Sequence, residues 1–325
     1  MGSRIVGTGR ATPPSRVSNH ELEAKIDTSD EWIKTRTGIS SRYLIRTGES
    51  LVEVAAHASR EALRKAGLNA SQLDAIIVGT VSSDFAFPSF GCQLQNLLGL
   101  DSIPAFDVAA ACAGFVYALS VTDSMMRAGD FKRVLLVGTD ALSTMVDWGD
   151  RSTCVLFGDG AGAVVMVAEA GARGVLGTVL RSSGRLADLL AVRATGFRAP
   201  ANSERRRDPE DAMKMRGPEL FKVAVRGLEE ATRAVVAQAG LRLEDLALVI
   251  PHQANIRIIN GVGERLKLPP EKVFINVDRY GNTSSASIPI ALDEAIEAGR
   301  LRDGDLVVLN ACGGGLTWGA SLVRW

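Results

Sequence analysis

One order of elements occurs twice in this chain, and no other feature constrains the fold as tightly. Ala66-Gly67-Leu68 followed by the run 73–80 (LDAIIVGT) is echoed by Ala239-Gly240-Leu241 followed by 246–253 (LALVIPHQ). The glycines differ by 240 − 67 = 173 and the apolar runs at Val134 and Val307 by 307 − 134 = 173. The segments opening at Cys112 and Ser284 differ by 284 − 112 = 172. Three kinds of element holding one offset predict two homologous halves, 1–170 and 171–325. The spacing is far too long for a repeat array.

Within each half, β-rich runs such as Ala75–Gly79 and Arg133–Gly138 alternate with helix-period stretches, which is the α/β pattern. Between 51 and 66, Leu51, Val54, Ala55, Ala58, Ala62 and Ala66 fall on one helical face. Glu53, His57, Glu61 and Arg64 fall on the other, with Gly67 as the stop. A hydrophobic content of 46% fills a core of this size without difficulty. The polar stretch 195–217 interrupts the pattern, with Arg205-Arg206-Arg207 near its centre. It reads as a solvated loop or, more sharply, as a cover over a substrate channel.

Charge narrows the function classes. Lys plus Arg and Asp plus Glu number 37 each, so no global field favours nucleic acid or a membrane surface. No uncharged apolar run approaches the roughly 18 residues of a spanning helix, and no apolar segment precedes a cleavage site near residue 1. A cytoplasmic location is expected. Cys92, Cys112, Cys154 and Cys312 stand apart without a CxxC pair, so neither a metal site nor a disulfide framework is expected, and a special cysteine would act alone.

Cys112 is the candidate. It sits among small residues, Ala109-Ala110-Ala111-Cys112-Ala113-Gly114, at the start of a helical stretch. Free N–H groups there would stabilise a thiolate and receive an oxyanion. A cysteine among alanines is otherwise a small buried hydrophobe. His252 follows the apolar run 246–250, at a strand end where α/β folds place their sites, although a satisfied core histidine is the competing reading. Asn282 precedes Ser284 in a Gly-Asn turn, and a pseudo-twofold between the halves would carry its amide towards the thiol. Cys312-Gly313-Gly314-Gly315 offers bare N–H groups for a carbonyl oxygen, or simply a tight turn.

These residues resemble the β-ketoacyl-acyl-carrier-protein synthase III family, the initiating condensing enzymes of type II fatty-acid synthesis. The resemblance runs through 27–42 (DTSDEWIKTRTGISSR), 86–89 (AFPS), 110–115 (AACAGF), 157–164 (FGDGAGAV), 251–259 (PHQANIRII), 278–289 (DRYGNTSSASIP) and 313–325 (GGGLTWGASLVRW). It implies an α/β chain with the thiolase-like duplicated αβαβα layered fold, paired as a homodimer. It also implies that Cys112 is acylated by an acyl-coenzyme A, that His252 and Asn282 donate hydrogen bonds to the thioester carbonyl of malonyl-acyl carrier protein, and that the N–H groups of Cys112 and Gly314 form the oxyanion hole. Coenzyme A would then be a substrate and no cofactor is expected.

By the same resemblance Trp32 and Arg151 would sandwich the adenine of coenzyme A, Arg36 would pair with phosphate, and Phe221 and Asn255 would line the pantetheine tunnel. Lys222, Arg226, Arg257 and Arg265 would receive the acidic carrier protein. Phe87 would close the partner subunit's acyl pocket and so favours a short primer such as acetyl. Cys312 and Leu316 stand where relatives often carry aromatic residues, which leaves branched or longer primers open. Two other readings are a condensing enzyme that loads an unusual starter in polyketide or signalling-molecule synthesis, and a Cys-His-Asn acyl hydrolase. The second lacks the papain-type cysteine context. A silent partner subunit would have lost Cys112 or His252.

Overall fold

The computed structural model describes residues 2–169, 171–193 and 211–325. The strands in chain order are β1 Gly2–Ala11, β2 Arg16–Ser18, β3 Ser41–Tyr43, β4 Ala75–Gly79, β5 Ala105–Val108, β6 Arg133–Ala141, β7 Asp159–Glu169, β8 Gly174–Ser182, β9 Leu190–Ala191, β10 Lys214–Met215, β11 Leu248–Pro251, β12 Leu306–Gly313 and β13 Thr317–Arg324. The helices are α1 Asn19–Glu23, α2 Asp30–Thr37, α3 Leu51–Ala66, α4 Phe90–Leu97, α5 Gly114–Ala128, α6 Gly217–Gln238, α7 Ile256–Leu266, α8 Val277–Tyr280 and α9 Ser287–Glu297.

Two mixed sheets carry the duplication. One runs β1-β7-β6-β4-β5 and the other β11-β12-β13-β8, so that β8, β13, β12 and β11 repeat the order of β1, β7, β6 and β4. Register repeats as well: Ala75 pairs with Val134 in the first sheet and Leu248 with Val307 in the second, both parallel. The second half keeps only a trace of the fifth strand, as a parallel bridge between Val249 and Val273.

Strand alternation sorts these sheets into five layers, αβαβα. Ile77 and Leu136 turn to the centre, where they meet Phe115 and Leu119 of α5, Ile288 and Leu292 of α9, and Ile250, Val307 and Leu309 of the second sheet. Their neighbours Ile76, Val78, Leu135 and Val137 turn outward onto α3. On the far side Val249 and Val308 pack under Ala231, Val235 and Val236 of α6. α3 buries more than its apolar stripe, Ser59 included, because it crosses β1, β6 and β7 and also touches α4; it stops at Gly67 with φ 67°.

The central pair, α5 and α9, brings the two halves together. Each is preceded by a 3-10 turn, Ala111–Ala113 before α5 and Ser284–Ala286 before α9. Each turn opens on a residue in the left-handed region, Ala111 at φ 46° and Ser284 at φ 52°. The backbone therefore matches Ala111 to Ser284, at 284 − 111 = 173, and Cys112 to Ser285. Matching Cys112 to Ser284 follows side-chain chemistry and is one residue out. Close approach needs Gly138 on β6, where a Cβ would come within 2.4 Å of the Ser285 carbonyl oxygen.

Candidate active site

Cys112 lies in the 3-10 turn, two residues ahead of the first residue of α5, and is 4% exposed. Its N–H abuts β12, since a Cβ on Gly313 would stand 2.5 Å from the Cys112 nitrogen. Only a glycine lets the strand come so near. The Thr317 hydroxyl donates to Ala110 O at 2.9 Å and sits 3.1 Å from Gly314 O, tying the nucleophile turn to the glycine-rich turn. The turns that carry Cys112 and Gly314 are thus joined through Thr317.

The helix start does not leave the thiol acidic. Burial pushes Cys112 up to about 12, against a hydrogen bond from Ser284 that favours the thiolate. Burial therefore favours the neutral thiol at Cys112.

His252 follows β11, and its N–H donates to Asn310 O on β12 at 2.7 Å. The ring is buried, and loss of solvation drops its pKa to about 3. Nδ1 lies 2.6 Å from Ser287 Oγ, which itself accepts the Gln253 N–H at 3.3 Å. With one lone pair taken by Gln253, Ser287 can donate its proton to Nδ1, the arrangement that puts the neutral ring's hydrogen on Nε2. That tautomer would present an N–H donor on the far side of the ring.

Asn282 is fixed by its backbone, with N–H to Leu156 O at 2.9 Å and O accepting from Gly158 N at 3.0 Å. Its Oδ1 accepts the Ser284 N–H at 2.9 Å, so the Nδ2 end of the amide is the one turned to donate. From the first half, Ser284 Oγ is met by Cys112 Sγ at 3.4 Å. The structure thus places Cys112 beside the 282–284 turn.

A cavity of about 1030 Å³ opens at Cys112, Ser284 and Gly314 and runs between Leu142, Val146, Trp148 and Met213. Phe85 and Ala86 border it, while Phe87 points into solvent at 86% exposure. Cys312 and Leu316, expected along an acyl pocket, do not line this cavity. Strand alternation sends Gly313 towards Cys112 and turns Cys312 to the opposite face, among Ala224, Val225 and Val262; Leu316 is buried where its backbone pairs with Ser183. His252 and Asn282 lie outside its lining too. Residues 195–210 of the polar stretch fall outside the described residues, and Asp211–Met213 border the cavity.

The coenzyme A candidates gather on another side. α2 carries Trp32 and Arg36, and packs against α7, which begins after Asn255; α6, with Phe221, packs on α7 as well. The guanidinium carbons of Arg36 and Arg151 lie 4.8 and 5.2 Å from the Trp32 ring centroid. Arg151 is also bonded to Asp27 O at 2.8 Å. The two residues expected to sandwich adenine, Trp32 and Arg151, thus lie against each other. Asn255 caps α7 through Arg257 N at 2.8 Å. Lys222, Arg226, Arg257 and Arg265 are exposed on α6 and α7, with Arg226 paired to Glu230 and Arg265 to Glu229.

Sequence reasoning missed Ser287 and Asp140. Ser287 is 35 residues from the histidine it orients, and no local spacing announces that contact. Asp140 had a faint signal, an acid ending an apolar strand; it is fully buried beneath the turn.

Comparison with known proteins adds an independent line. The family described as 3-oxoacyl-[acyl-carrier-protein (ACP)] synthase III matches residues 106–184, and its C-terminal part matches residues 236–325. The beta-ketoacyl-[acyl-carrier-protein] synthase III of Aquifex aeolicus (strain VF5) is 48% identical over 325 residues, covering all of both chains. Its crystal structure superposes with a TM-score of 0.93. The synthase III of Roseiflexus castenholzii is 47% identical over 99% of this chain and 97% of its own. A priming beta-ketosynthase from the R1128 polyketide pathway is 34% identical, with TM-score 0.92, covering 99% of this chain and 96% of its own.

Proposed function

The chain belongs to the 3-oxoacyl-[acyl-carrier-protein] synthase III family, and on that premise we propose that it joins a short acyl group from acyl-coenzyme A to malonyl-acyl carrier protein, releasing CO2 and starting fatty-acid synthesis. One observation supports this assignment of roles: Cys112 meets the 282–284 turn of the other half, and Ser287 beside His252 Nδ1 suits the ring to donate from Nε2.

Each role follows from a physical need. Cys112 Sγ attacks the acyl thioester, the N–H groups of Cys112 and Gly314 receive the tetrahedral oxyanion, and its collapse breaks the bond to the coenzyme A sulfur, which leaves as the free thiol with the proton that Cys112 gives up. Malonyl thioester then loses CO2, leaving an enolate. His252 Nε2–H and Asn282 Nδ2–H supply preorganised donors for that oxygen, at no cost of reorganisation. The carbanion attacks the carbonyl carbon of acyl-Cys112, the bond from that carbon to Sγ breaks as the 3-oxoacyl product leaves, and the sulfur regains a proton. A neutral histidine suits this work, because a donor is needed and a base is not. Coenzyme A enters as substrate, so the sequence of steps uses no resident cofactor.

The working unit in this proposal is a homodimer. Supporting it, β5 is the open edge of its sheet and Phe85, Phe87 and Val81 are exposed beside it, an apolar edge that solitary chains avoid. α6 and α7 supply the cationic side for an acidic carrier protein.

The test is product analysis with malonyl-acyl carrier protein and acetyl-, isobutyryl- or octanoyl-coenzyme A. A 3-oxoacyl-carrier protein from acetyl-coenzyme A is expected, and His252→Ala or Asn282→Ala should each lower condensation by about 10²- to 10³-fold. Turnover confined to an unusual starter would move the enzyme to a specialised pathway. No product with malonyl-acyl carrier protein from any primer would sink the proposal.

A further inference from the structure

Arg42 lies on β3 with no exposed surface, and among the described residues it forms no ion pair. Burial pulls its guanidinium down to about 10, so the group is still charged at neutral pH. A buried charge without a counter-charge is costly unless hydrogen bonds hold it. Nη1 donates to Asn19 Oδ1 at 2.7 Å and Nη2 to Val155 O at 2.8 Å, while Nε has no partner. No step of the proposed reaction uses this group.

The direction of its bonds shows what the charge holds. Asn282 lies where two stretches of backbone meet in a parallel bridge, Phe157 against Asn282. Its N–H donates to Leu156 O, and its O accepts the Gly158 N–H. β3 stands against both stretches. On one side it is tied to α8, with Ser40 N–H donating to Asp278 O at 2.8 Å and Ser41 Oγ to Arg279 O at 3.1 Å. On the other side Arg42 reaches Val155 O, the carbonyl just before Leu156. Its stem fills the space between: a Cβ on Gly158 would stand 3.1 Å from Arg42 Cβ, and a Cβ on Gly281 3.2 Å from it. A planar fork suits this place, because its two acceptors belong to separate segments and a lysine nitrogen is a single point.

Resting on the function proposed above, we infer that Arg42 is a positioning residue for condensation. By clamping Val155 to Asn19 it fixes the 155–158 backbone against α8, and so sets the place from which Asn282 donates to the enolate oxygen. It acts through Asn282 and not on substrate. A donor moved by about 1 Å can lose about 10²-fold in rate, and a smaller shift proportionately less. Substrate binding is spared, because the interaction is one made as charge develops in the transition state. Cys112 has supports of its own in α5 and Thr317, and meets the 282–284 turn only through Ser284. Its acylation should therefore suffer less.

The test uses Arg42→Met, which keeps the stem and removes the fork, and Arg42→Lys, which keeps the charge. Release of coenzyme A from saturating acetyl-coenzyme A is followed by rapid mixing, and the acylated enzyme is then given malonyl-acyl carrier protein. In Arg42→Met, kcat for condensation should fall about 10-fold or more, KM for malonyl-acyl carrier protein should stay within about twofold, and acylation should fall about threefold at most. Arg42→Lys should recover part of the loss. Arg42→Met is also added to Asn282→Ala. With the amide gone, losing the clamp should lower condensation no further, whereas a residue that only supports the fold would cost the same in either background. Full additivity would overturn the inference, as would equal losses in the two half-reactions or wild-type condensation in Arg42→Met. If Arg42→Met does not fold, Arg42→Lys goes through the same cycle. Failure of both to fold would overturn the inference too, leaving Arg42 a residue of the fold alone. A wild-type enzyme that coenzyme A thioesters never acylate would refute the function itself instead.

Discussion

At the scale of single residues, this site works with neutral groups made reactive by placement. Cys112 is pushed up to about 12 and His252 down to about 3, both by burial. For the histidine the sign is fixed: the folded state disfavours the imidazolium, so nothing is lost above the unfolded value of about 6.5, and stability declines as pH falls from there towards about 3. The condensation rate should accordingly show no inflection near 6.5 that His252→Gln removes, and urea unfolding should show a midpoint that falls with acid below that point. A histidine inflection present in wild type and absent from His252→Gln would mean that the ring titrates in the folded enzyme. Cys312 shows how identity is more legible than surroundings. Its place before the glycines can be read from the chain, whereas its packing among Ala224, Val225 and Val262 depends on strand alternation.

At the scale of elements, the placement of Asn282 depends on a short helix held by one acid. Glu294 of α9 accepts from Asn276 Nδ2 at 2.7 Å, from Arg279 Nη1 and Nη2 at 2.8 and 2.9 Å, and from Tyr280 OH at 2.7 Å, gathering the whole of α8 just ahead of Asn282. Glu294→Ala strands the buried Asn276 amide and releases Arg279 and Tyr280, and should cost about 2 kcal/mol in urea unfolding. Condensation should weaken more than acylation, because α8 leads to Asn282 and not to Cys112. Equal losses in the two half-reactions would count against that division. The repeated elements were readable because β4, β6, β11 and β12 are short apolar runs with intact spacing. The Asp140 and Ser287 contacts were not, since they join residues 145 and 35 positions apart through folding alone. The equivalence of Cys112 with Ser285 became visible only in the paired left-handed residues Ala111 and Ser284.

At the scale of the molecule, duplication explains why one active site draws on both halves. Two sheets with the same strand order enclose α5 and α9, and the turns ahead of these helices meet at the centre, one bringing Cys112 and the other Asn282 and Ser284. The open edge at β5 extends the same logic to a pair of chains. Phe87→Asp should turn a dimer into a monomer in sedimentation velocity with the fold intact by circular dichroism, and a wild-type monomer at micromolar concentration would refute the dimer. The central claim is that acyl transfer runs through Cys112 and on to a carrier-bound malonyl group. Intact-mass measurement tests it directly, with wild type and Cys112→Ala exposed first to acetyl-coenzyme A and then to malonyl-acyl carrier protein. One acetyl group should appear on wild type and vanish as 3-oxoacyl-carrier protein forms, with none on Cys112→Ala; an adduct that persists in Cys112→Ala, or one that malonyl-acyl carrier protein cannot discharge, would contradict it.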